Sequence, residues 1–492
     1  MVNVENFYLD EYIEIQSTKF KDKKTTEKLI KSSTAQKERF LNLCKEINDE
    51  FDREWDEEDK RSKDNKASDE RLENQKRAIM GYGQEVNYYK DKIEDYLKKR
   101  GLQEEWYPKW YSDLVSAIFH ENWGLAGIAE WKALEDCSSA KIIGERIYFL
   151  INGKSALQEQ TISPSRLSQL TRALLLKYPE KKIKRDKVAE VYMVDGERIT
   201  IFVDIVKQPV IVFRKDIVKH YTFQEQAKRH TIDKEMIKLL ENMVKIGYNV
   251  VFTGPVRSAK TTFLQTWQGY ENPDLEGVQI ETDGEVPLHI RMPKSPIVQV
   301  VADGEELKNI MKPVLRLDGD YYNVNEARDE VALYIAIEAA MRGTRRAKST
   351  AHITDARDFI YYAAMKLSSL IGGDMYDIAI MVALSYNYIF SFDQLSDKSQ
   401  KRVTGLYEVR YNRENYEISM HQICKYDYEK DNWTYKFDIG EDKKEIGYKE
   451  DNEAYMIFKN ELKRLAELKP MEGNNVTIPY FNRRMMMDAR NK

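Results

Sequence analysis

The strongest constraint on how this chain folds lies in residues 248–264, where an apolar strand pattern runs into a short loop and then into a helix pattern. The loop reads Gly254-x-x-x-x-Ala259-Lys260-Thr261. It follows the phosphate-binding P-loop pattern G-x-x-x-x-G-K-[ST] except at Ala259, where the pattern has glycine. A loop that leads into a helix points successive backbone N–H groups at one place, where they and the helix dipole hold phosphate. The stretch therefore predicts a nucleotide site.

Each residue type in this loop has a chemical role. Lys260 is expected to reach the β- and γ-phosphates, and the Thr261 hydroxyl is expected to ligate Mg²⁺. An ordinary loop that contains a lysine is the alternative, and the flanking strand and helix patterns favour the nucleotide site over it. The predicted phosphate-binding residues are Gly254, Pro255, Val256, Arg257, Ser258, Ala259, Lys260, Thr261 and Thr262.

Acidic residues at strand ends are the next candidates, because hydrolysis of a bound nucleotide needs a carboxylate that positions water. Glu326 ends a short strand pattern, which we expect to lie adjacent to the P-loop strand; a helix-capping glutamate is the alternative. Glu281 and Glu285 follow another strand end, and ligand sites in open α/β sheets lie beyond such ends. All three are predicted catalytic residues, and Glu326 with Thr261 forms the predicted metal site.

His352 is the fourth predicted catalytic residue. It follows Ser349 and Thr350 at the end of a strand–helix alternation. A histidine can donate a hydrogen bond to a phosphate oxygen, so we expect His352 to contact the γ-phosphate. A structural histidine with its hydrogen bonds satisfied is the alternative.

Composition excludes several classes of protein. The chain has 492 residues and a net charge of only −4, which gives no general attraction to nucleic acid or to an anionic bilayer. Its three cysteines are odd in number and far apart, so we expect no disulfide framework and a reducing compartment. No stretch approaches the roughly 18 apolar residues of a membrane span, and the first residues lack a signal-peptide pattern. These features predict a soluble cytoplasmic protein.

The patterns divide the chain into four segments: 1–105, 106–235, 236–415 and 416–492. The first is a charged, helix-prone extension, and we expect it to serve interaction or spacing. The second mixes helix and strand patterns, including a strand pair over 141–154 with an Asn152-Gly153 turn and a hairpin around Asp195-Gly196. It is predicted to be an α+β domain.

The third segment alternates strands and helices, which is typical of a largely parallel sheet with flanking helices. The fourth is predicted to form a hairpin (416–446), a helix (452–467) and a tail that contains methionine and arginine. The predicted strands of the third segment are 249–253, 277–282, 321–325 and 378–391, and its predicted helices are 261–269, 305–315, 329–342 and 355–370.

Taken in order, these elements resemble the secretion and pilus traffic ATPases of type II and type IV secretion, and most of all the CpaF-like branch associated with Tad/Flp pilus assembly and conjugation. Members of that family have a P-loop, an acidic "Asp box", a Walker B strand ending in Gly-Glu-x-Arg, and a "His box" reading Ser-Thr-x-His. The matching residues are Gly254 to Thr262, Glu281 with Glu285, Asn325-Glu326-Ala327-Arg328, and Ser349-Thr350-Ala351-His352.

The resemblance implies an α/β fold: a RecA-like P-loop NTPase domain, preceded by an α+β N-terminal domain and the charged helical extension. It implies an ATP-hydrolysing motor that uses ATP and Mg²⁺. Arg214 of the N-terminal domain would reach the nucleotide, and Arg328 is a weaker candidate for a phosphate contact, with a surface salt bridge as its alternative.

The resemblance also implies partners and a location. We expect self-association into a homohexamer and an inner-membrane platform protein as the partner. The chain itself would be cytoplasmic, with peripheral attachment to the cytoplasmic membrane through that partner and no membrane span of its own. Nucleic acid is not required for the predicted activity.

Some residues depart from the family pattern. Ala259 replaces a P-loop glycine, Thr282 stands where the Asp box has aspartate, and Asn325 replaces the glycine before Glu326. A side chain at position 259 is expected to crowd the phosphates or strain a backbone that glycine tolerates, which predicts slow hydrolysis. Two alternatives stay open: a degenerate subunit that serves as a scaffold or regulator of a secretion complex, and a DNA-translocating motor. The near-neutral charge argues mildly against the second.

Overall fold

The computed structural model of the chain describes residues 23–62, 66–175, 188–195, 197–202, 205–215, 221–282, 286, 288–327 and 329–479. The chain forms two units, Met1–Lys215 and Asp216–Lys492. The predicted terminal tail (480–492) and Gly196 of the predicted Asp195-Gly196 turn lie outside the described residues. The four-segment division of the chain stays a prediction.

Helices make up the first part of the first unit. The fourth of them begins where the Asp113 side chain accepts a hydrogen bond from the Ser116 N–H at 2.6 Å, which is a typical N-cap. The third ends at Gly101, whose φ of 66° suits glycine. The helices are α1 (Lys23–Ser62), α2 (Lys66–Met80), α3 (Gly83–Arg100), α4 (Leu114–Asn122), α5 (Glu130–Ala133) and α6 (Pro164–Leu175), with a 3-10 turn at Ala126–Ala129.

An aromatic core holds α1, α3 and α4 together. The Trp123 ring stacks on Phe51 at 5.0 Å and on Tyr89 at 5.2 Å between centroids. Such pairs add about 0.5–1.5 kcal/mol each beyond the area that they bury. This core joins residues on both sides of the predicted boundary at 105/106, so the described part of the charged extension contributes to a hydrophobic core.

The sheet of the first unit is antiparallel, with the order β3-β2-β1-β6-β5-β4 among the described residues. The predicted Asn152-Gly153 turn is confirmed between β2 and β3. Both residues have positive φ, 47° and 76°, which two-residue hairpin turns with asparagine and glycine favour. The strands are β1 (Cys137–Ile143), β2 (Arg146–Ile151), β3 (Lys154–Thr161), β4 (Val188–Tyr192), β5 (Arg198–Phe202) and β6 (Val210–Arg214).

The second unit is built on a sheet with the order β15-β14-β13-β12-β7-β11-β10-β8-β9, and β16 pairs with β14. From β9 to β12 the neighbouring strands are parallel, and from β12 to β15 they are antiparallel. The predicted parallel core is therefore confirmed. The strands are β7 (Val250–Thr253), β8 (Gly277–Glu281), β9 (Ile297–Val301), β10 (Tyr321–Val324), β11 (Lys348–Ala351), β12 (Tyr388–Gln394), β13 (Lys401–Asn412), β14 (Glu417–Asp427), β15 (Asn432–Tyr435) and β16 (Val476–Thr477).

Helices cover both faces of this sheet. Along β7, Val251 packs in one hydrophobic core while Val250 and Phe252 pack in the other, as the alternation of side chains in a strand requires. The helices are α7 (Phe223–Lys228), α8 (Ile237–Ile246), α9 (Lys260–Gln268), α10 (Leu288–Arg291), α11 (Gly304–Val314), α12 (Glu330–Met341), α13 (Phe359–Ile371), α14 (Met375–Ser385), α15 (Glu441–Glu450) and α16 (Asn452–Leu468).

One predicted element is wrong over most of its length. Residues 378–391 are predicted to form a strand, but residues up to Ser385 belong to α14 and only Tyr388–Gln394 form β12. The Asp374 side chain accepts a hydrogen bond from the Tyr376 N–H at 2.8 Å and caps the helix. The apolar run is mistaken for a strand because a buried helix and a buried strand look alike without polar residues to mark the period.

Two further observations concern the whole described chain. Cys44, Cys137 and Cys424 are buried free thiols. No single helix among the described residues has the length and apolar composition to cross a membrane. The segments Ala356–Ile371 and Met375–Ser385 satisfy those criteria only as a pair, and the chain bends by 120° between them.

Candidate nucleotide site

The loop after β7 requires glycine at its first position. Gly254 has a φ of 150°, and a Cβ built on it would lie 2.4 Å from the Phe392 carbonyl oxygen. The backbone of the loop therefore runs against the end of β12 too closely for any side chain. This close contact with β12 holds the backbone of the loop at Gly254 in place.

Ala259 has a left-handed backbone. It precedes α9 with φ and ψ of 72° and 20°. A residue with a Cβ costs roughly 1–2 kcal/mol in this region, which glycine occupies freely. The alanine thus has a backbone conformation that glycine adopts freely, and it carries the backbone strain that the sequence predicts.

Lys260 begins α9 and is 4% exposed. Its ammonium donates to the carbonyl oxygens of Gly254 at 2.9 Å and Pro255 at 2.7 Å, and lies 3.5 Å from the Ser258 hydroxyl. Burial lowers the Lys260 pKa to about 8, and the negative charge of Glu326 offsets part of that effect. The protein groups around the Lys260 ammonium therefore do not fully offset the free energy that its charge loses on burial.

Lys260, His352 and Glu326 form a continuous chain of close side-chain contacts. The Lys260 ammonium lies 3.1 Å from His352 Nδ1, and His352 Nε2 lies 3.0 Å from Glu326 Oε1. An ammonium can only donate, so Nδ1 accepts from Lys260, and Nε2 is the ring nitrogen that faces the carboxylate. Three residues that the sequence predicts for the site thus meet side chain to side chain.

Strand order explains why these residues meet. β7, β11, β10 and β8 are parallel neighbours in that order, so their carboxyl ends lie at one edge of the sheet. The P-loop follows β7, His352 follows β11, and Glu326 follows β10. The expectation that the Glu326 strand lies next to the P-loop strand is wrong, because β11 is inserted between them and carries His352.

Glu281, at the end of β8, makes other contacts. Its carboxylate is 1% exposed and accepts hydrogen bonds from the Val286 N–H at 3.0 Å and the Gln299 amide at 3.2 Å. These bonds shape the chain after β8.

Arg214 ends β6 in the first unit, in register with Ser139 and Arg198. The candidates Glu285 and Arg328 lie outside the described residues.

The first turn of α9 suits a phosphate group. Within the described residues, the first N–H of this helix that reaches a protein carbonyl is that of Phe263, which donates to Ala259 at 2.9 Å. The N–H groups of Lys260, Thr261 and Thr262 precede it, at the positive end of the helix dipole. With the adjacent Lys260 ammonium they supply the donors that an anion requires.

The chemistry of the donor set also fits Mg²⁺ shared with a nucleotide. Mg²⁺ prefers oxygen ligands and usually keeps substrate phosphates and waters in its coordination shell, with few protein ligands. The Thr261 hydroxyl and the Glu326 carboxylate are the predicted protein oxygens. Among the described residues there is no cluster of three or more His, Cys, Asp or Glu that forms a metal site by protein ligands alone.

Sequence reasoning names Asn325 and Thr350 as family-motif residues, but it misses Gln279 and the hydrogen bonds that join these residues beneath the edge. Gln279 of β8 hydrogen-bonds to Asn325, and the Thr350 hydroxyl donates to the Asn325 carbonyl. The signal that could have identified them is a glutamine and two asparagines within strand patterns that are otherwise apolar. Such residues need a partner when they are buried.

Comparison with known proteins finds one matching protein family, over residues of both units. Residues 186–384, which include the P-loop, Glu326 and His352, match the family model described as "Type II/IV secretion system protein". The match supports the resemblance to secretion ATPases at the level of the family and does not reach the CpaF-like branch. No curated protein matches this sequence.

Solved structures with similarity include the VirB11 ATPase from the Brucella suis type IV secretion system in complex with sulphate, at 13% identity and a TM-score of 0.31 over 57% of this chain and 95% of that one. The pilus retraction motor PilT with bound ADP has 16% identity and a TM-score of 0.44 over 70% and 93%. The Legionella pneumophila ATPase DotB has 13% identity and a TM-score of 0.41 over 69% and 86%.

Proposed function

We propose that this chain is an ATP-hydrolysing motor of the traffic ATPase kind, which powers pilus assembly, secretion or conjugative transfer across the cytoplasmic membrane. The observation that carries the proposal is the chain of contacts from Lys260 through His352 to Glu326 at the carboxyl edge of the parallel sheet. A phosphate-binding cation, a hydrogen-bond donor and a carboxylate base are the groups that phosphoryl transfer to water uses.

Each group has a defined part in the proposed reaction. The backbone N–H groups at the start of α9 hold the β-phosphate, and Lys260 exchanges its bonds to the loop carbonyls for bonds to the phosphates. Glu326 orients the attacking water and takes its proton, and His352 donates from a ring nitrogen to the γ-phosphate. Bound Mg²⁺, with Thr261 and Glu326 as its protein ligands, would neutralise charge on the β- and γ-phosphates.

The biological setting of the proposal comes from the family resemblance. It comprises a homohexamer of the CpaF-like branch, attached peripherally to the cytoplasmic membrane from the cytoplasm through an inner-membrane platform protein. Arg214 and Arg328 are proposed to reach the nucleotide, and Glu281 and Glu285 to organise metal or water. The family match over residues 186–384 supports a secretion ATPase and is silent on the cargo.

A phosphate-release assay on the full-length chain with ATP and Mg²⁺ tests the proposal. We expect turnover in the parent protein and a loss on the order of 100-fold or more in Glu326→Gln, the magnitude typical of removing a general base. Lys260→Ala is expected to abolish binding of a fluorescent ADP analogue as well. Lys308→Ala and Glu305→Gln, an exposed ion pair on α11, are the matched controls and should leave both readouts unchanged.

Two outcomes would contradict the motor. Turnover that survives in both Glu326→Gln and Lys260→Ala would assign the hydrolysis to a contaminant or another site. An absence of turnover in the parent protein would favour a scaffold. DNA is expected to leave turnover unchanged, and a strong stimulation with steep salt dependence would indicate a DNA-translocating motor instead.

The strained backbone of Ala259 favours the second candidate function, a catalytically weak P-loop subunit that acts as a scaffold or regulator of a secretion complex. With φ at 72°, the alanine methyl occupies a turn where the pattern has only hydrogen. The same assay separates the candidates, because the second candidate binds nucleotide weakly or not at all and shows no turnover that depends on Glu326.

A further inference from the structure

The strand that leads to Glu326 carries polar side chains in the middle of a parallel sheet. Tyr321, Asn323 and Asn325 lie along this strand and directly after it, and they are 1%, 0% and 7% exposed. Strands of parallel sheets are covered on both faces and are usually apolar. A buried amide destabilises the fold unless it is hydrogen-bonded, so these residues must have partners.

Asn325 is tied to both strands that flank β10. Its side-chain oxygen accepts a hydrogen bond from the Gln279 amide of β8, and its N–H donates to the Ile280 carbonyl of the same strand at 3.1 Å. Its carbonyl accepts from the Thr350 hydroxyl of β11. We call the side-chain contact the Gln279–Asn325 bridge. It fixes the backbone of the residue immediately before Glu326.

A second bridge lies further from the site. Gln268, the last residue of α9, accepts a hydrogen bond from the Asn323 amide at 2.9 Å and donates to the Tyr321 hydroxyl at 2.8 Å. All three side chains are buried. This Gln268–Asn323 bridge has the same chemistry as the first, but its strand residue lies three positions before Glu326.

We propose that the Gln279–Asn325 bridge positions the Glu326 carboxylate for hydrolysis, by fixing the end of β10 relative to β8. The inference rests on the proposed function of Glu326 as the residue that activates water. Glu326 is joined to the bridge by one peptide bond, and its carboxylate meets His352 at 3.0 Å. A small shift of the Asn325 backbone therefore moves the carboxylate relative to His352.

Stability alone does not account for the bridge. Gln279 Oε1 and Asn325 Nδ2 are buried and have no hydrogen-bond partner among the described residues. An apolar pair of similar size would avoid that cost, because replacing both partners of a buried hydrogen bond can be neutral or stabilising.

The double variant Gln279→Leu/Asn325→Leu tests the proposal, with Gln268→Leu/Asn323→Leu as the matched control. In the first we expect an unchanged or higher melting temperature, ADP affinity within about 3-fold of the parent, and kcat lower by at least about 10-fold, since a catalytic group misplaced by 1 Å can cost about 100-fold. A crystal structure should show Glu326 Oε1 displaced from its 3.0 Å contact with His352 Nε2. The control should keep both kcat and that contact.

Unchanged kcat and an unchanged Glu326–His352 contact in the first variant would overturn the proposal. A loss of kcat as large in the control as in the first variant would also overturn it, because the effect would then be one of the sheet as a whole. If the parent protein shows no turnover dependent on Glu326, the proposed function fails. The crystallographic distance still decides whether the bridge holds Glu326 in place.

Discussion

Two buried lysines lie at opposite edges of the same parallel sheet, and their charges are compensated in different ways. Lys348 begins β11, in register with Val250 at the start of β7, and Lys260 follows the end of β7. The Lys348 ammonium is fully buried and lies 2.8 Å from the Glu271 carboxylate. The Lys260 ammonium is held by backbone carbonyls and by an imidazole.

The difference lies in where the nearest negative charge stands. Glu271 is paired with Lys348 and also with Arg346 at 2.8 Å, so at the amino edge the lysine charge is neutralised within the fold. At the carboxyl edge the only carboxylate linked to Lys260 is one histidine away among the described contacts. A buried cation whose direct partners are neutral can gain its counter-charge from an anionic ligand. From this comparison we infer a structural role for Lys348, and it supports the binding role that we propose for Lys260.

The largest expected effect is on the structural lysine. Glu271→Gln removes the negative charge from beneath Lys348 and Arg346 and leaves a fully buried cation without a counter-ion. Breaking a buried pair in this way typically costs about 3–5 kcal/mol. Urea unfolding followed by fluorescence should therefore show a large drop in the midpoint.

The apolar replacement Glu271→Leu/Lys348→Met is the control for that variant. Replacing both charges of a buried pair is often neutral or stabilising, so the double variant should recover part of the loss. The remainder is expected because Arg346 also loses its carboxylate. If Glu271→Gln alone unfolds at the same urea concentration as the parent, Lys348 needs no counter-ion. The proposed difference between Lys348 and Lys260 would then be wrong.

The strand ends at the site could be predicted from the sequence, but the order of strands could not. The P-loop pattern and the alternation of strands and helices place Lys260, Glu326 and His352 at carboxyl ends of strands. The sequence does not say that β11 crosses back to lie between β7 and β10. That order depends on how the helices that join the strands pack on the two faces, which is a property of the whole unit.

The first segment is predicted to be helix-prone, but the hydrophobic core that its helices form is missed for a different reason. Phe40, Cys44, Ile47, Phe51 and Trp55 recur every three or four residues along α1 and are all buried. That spacing is a helix signal. The charged residues between them hide this apolar stripe, and its aromatic partners in α3 and α4, with which it forms a core, are distant in sequence.

The second prediction concerns the pH dependence of folding stability. Burial lowers the Lys260 pKa from 10.5 to about 8, so between these values the unfolded chain binds more protons than the folded one. Stability should rise with pH across that window, by about 3 kcal/mol in total at 1.36 kcal/mol per pKa unit. The gain is complete above pH 10.5 and absent below pH 8.

Lys260→Met isolates this contribution. The difference in unfolding free energy between parent and variant, measured in urea at about pH 7.5, 9 and 10.5, removes the titration of every other group. We expect the variant to be the more stable at the lowest pH and the difference to shrink as pH rises. A difference that stays constant across the window would show that folding leaves the Lys260 pKa unshifted, and the neutral partners of Lys260 would then compensate its charge fully.

The smallest expected effect on the unfolding free energy is at Ala259, whose backbone leads directly into Lys260. Ala259→Gly should relieve the left-handed strain at φ 72° and raise the unfolding free energy by about 1 kcal/mol, although glycine usually destabilises a folded chain. Ala466→Gly in α16 is the matched control and should lose about 1 kcal/mol, because there the backbone is helical. A loss of stability in both variants would mean that the loop holds Lys260 without strain. A gain at position 259 together with tighter ADP binding would show that the methyl group opposes the same ligand that the uncompensated lysine attracts.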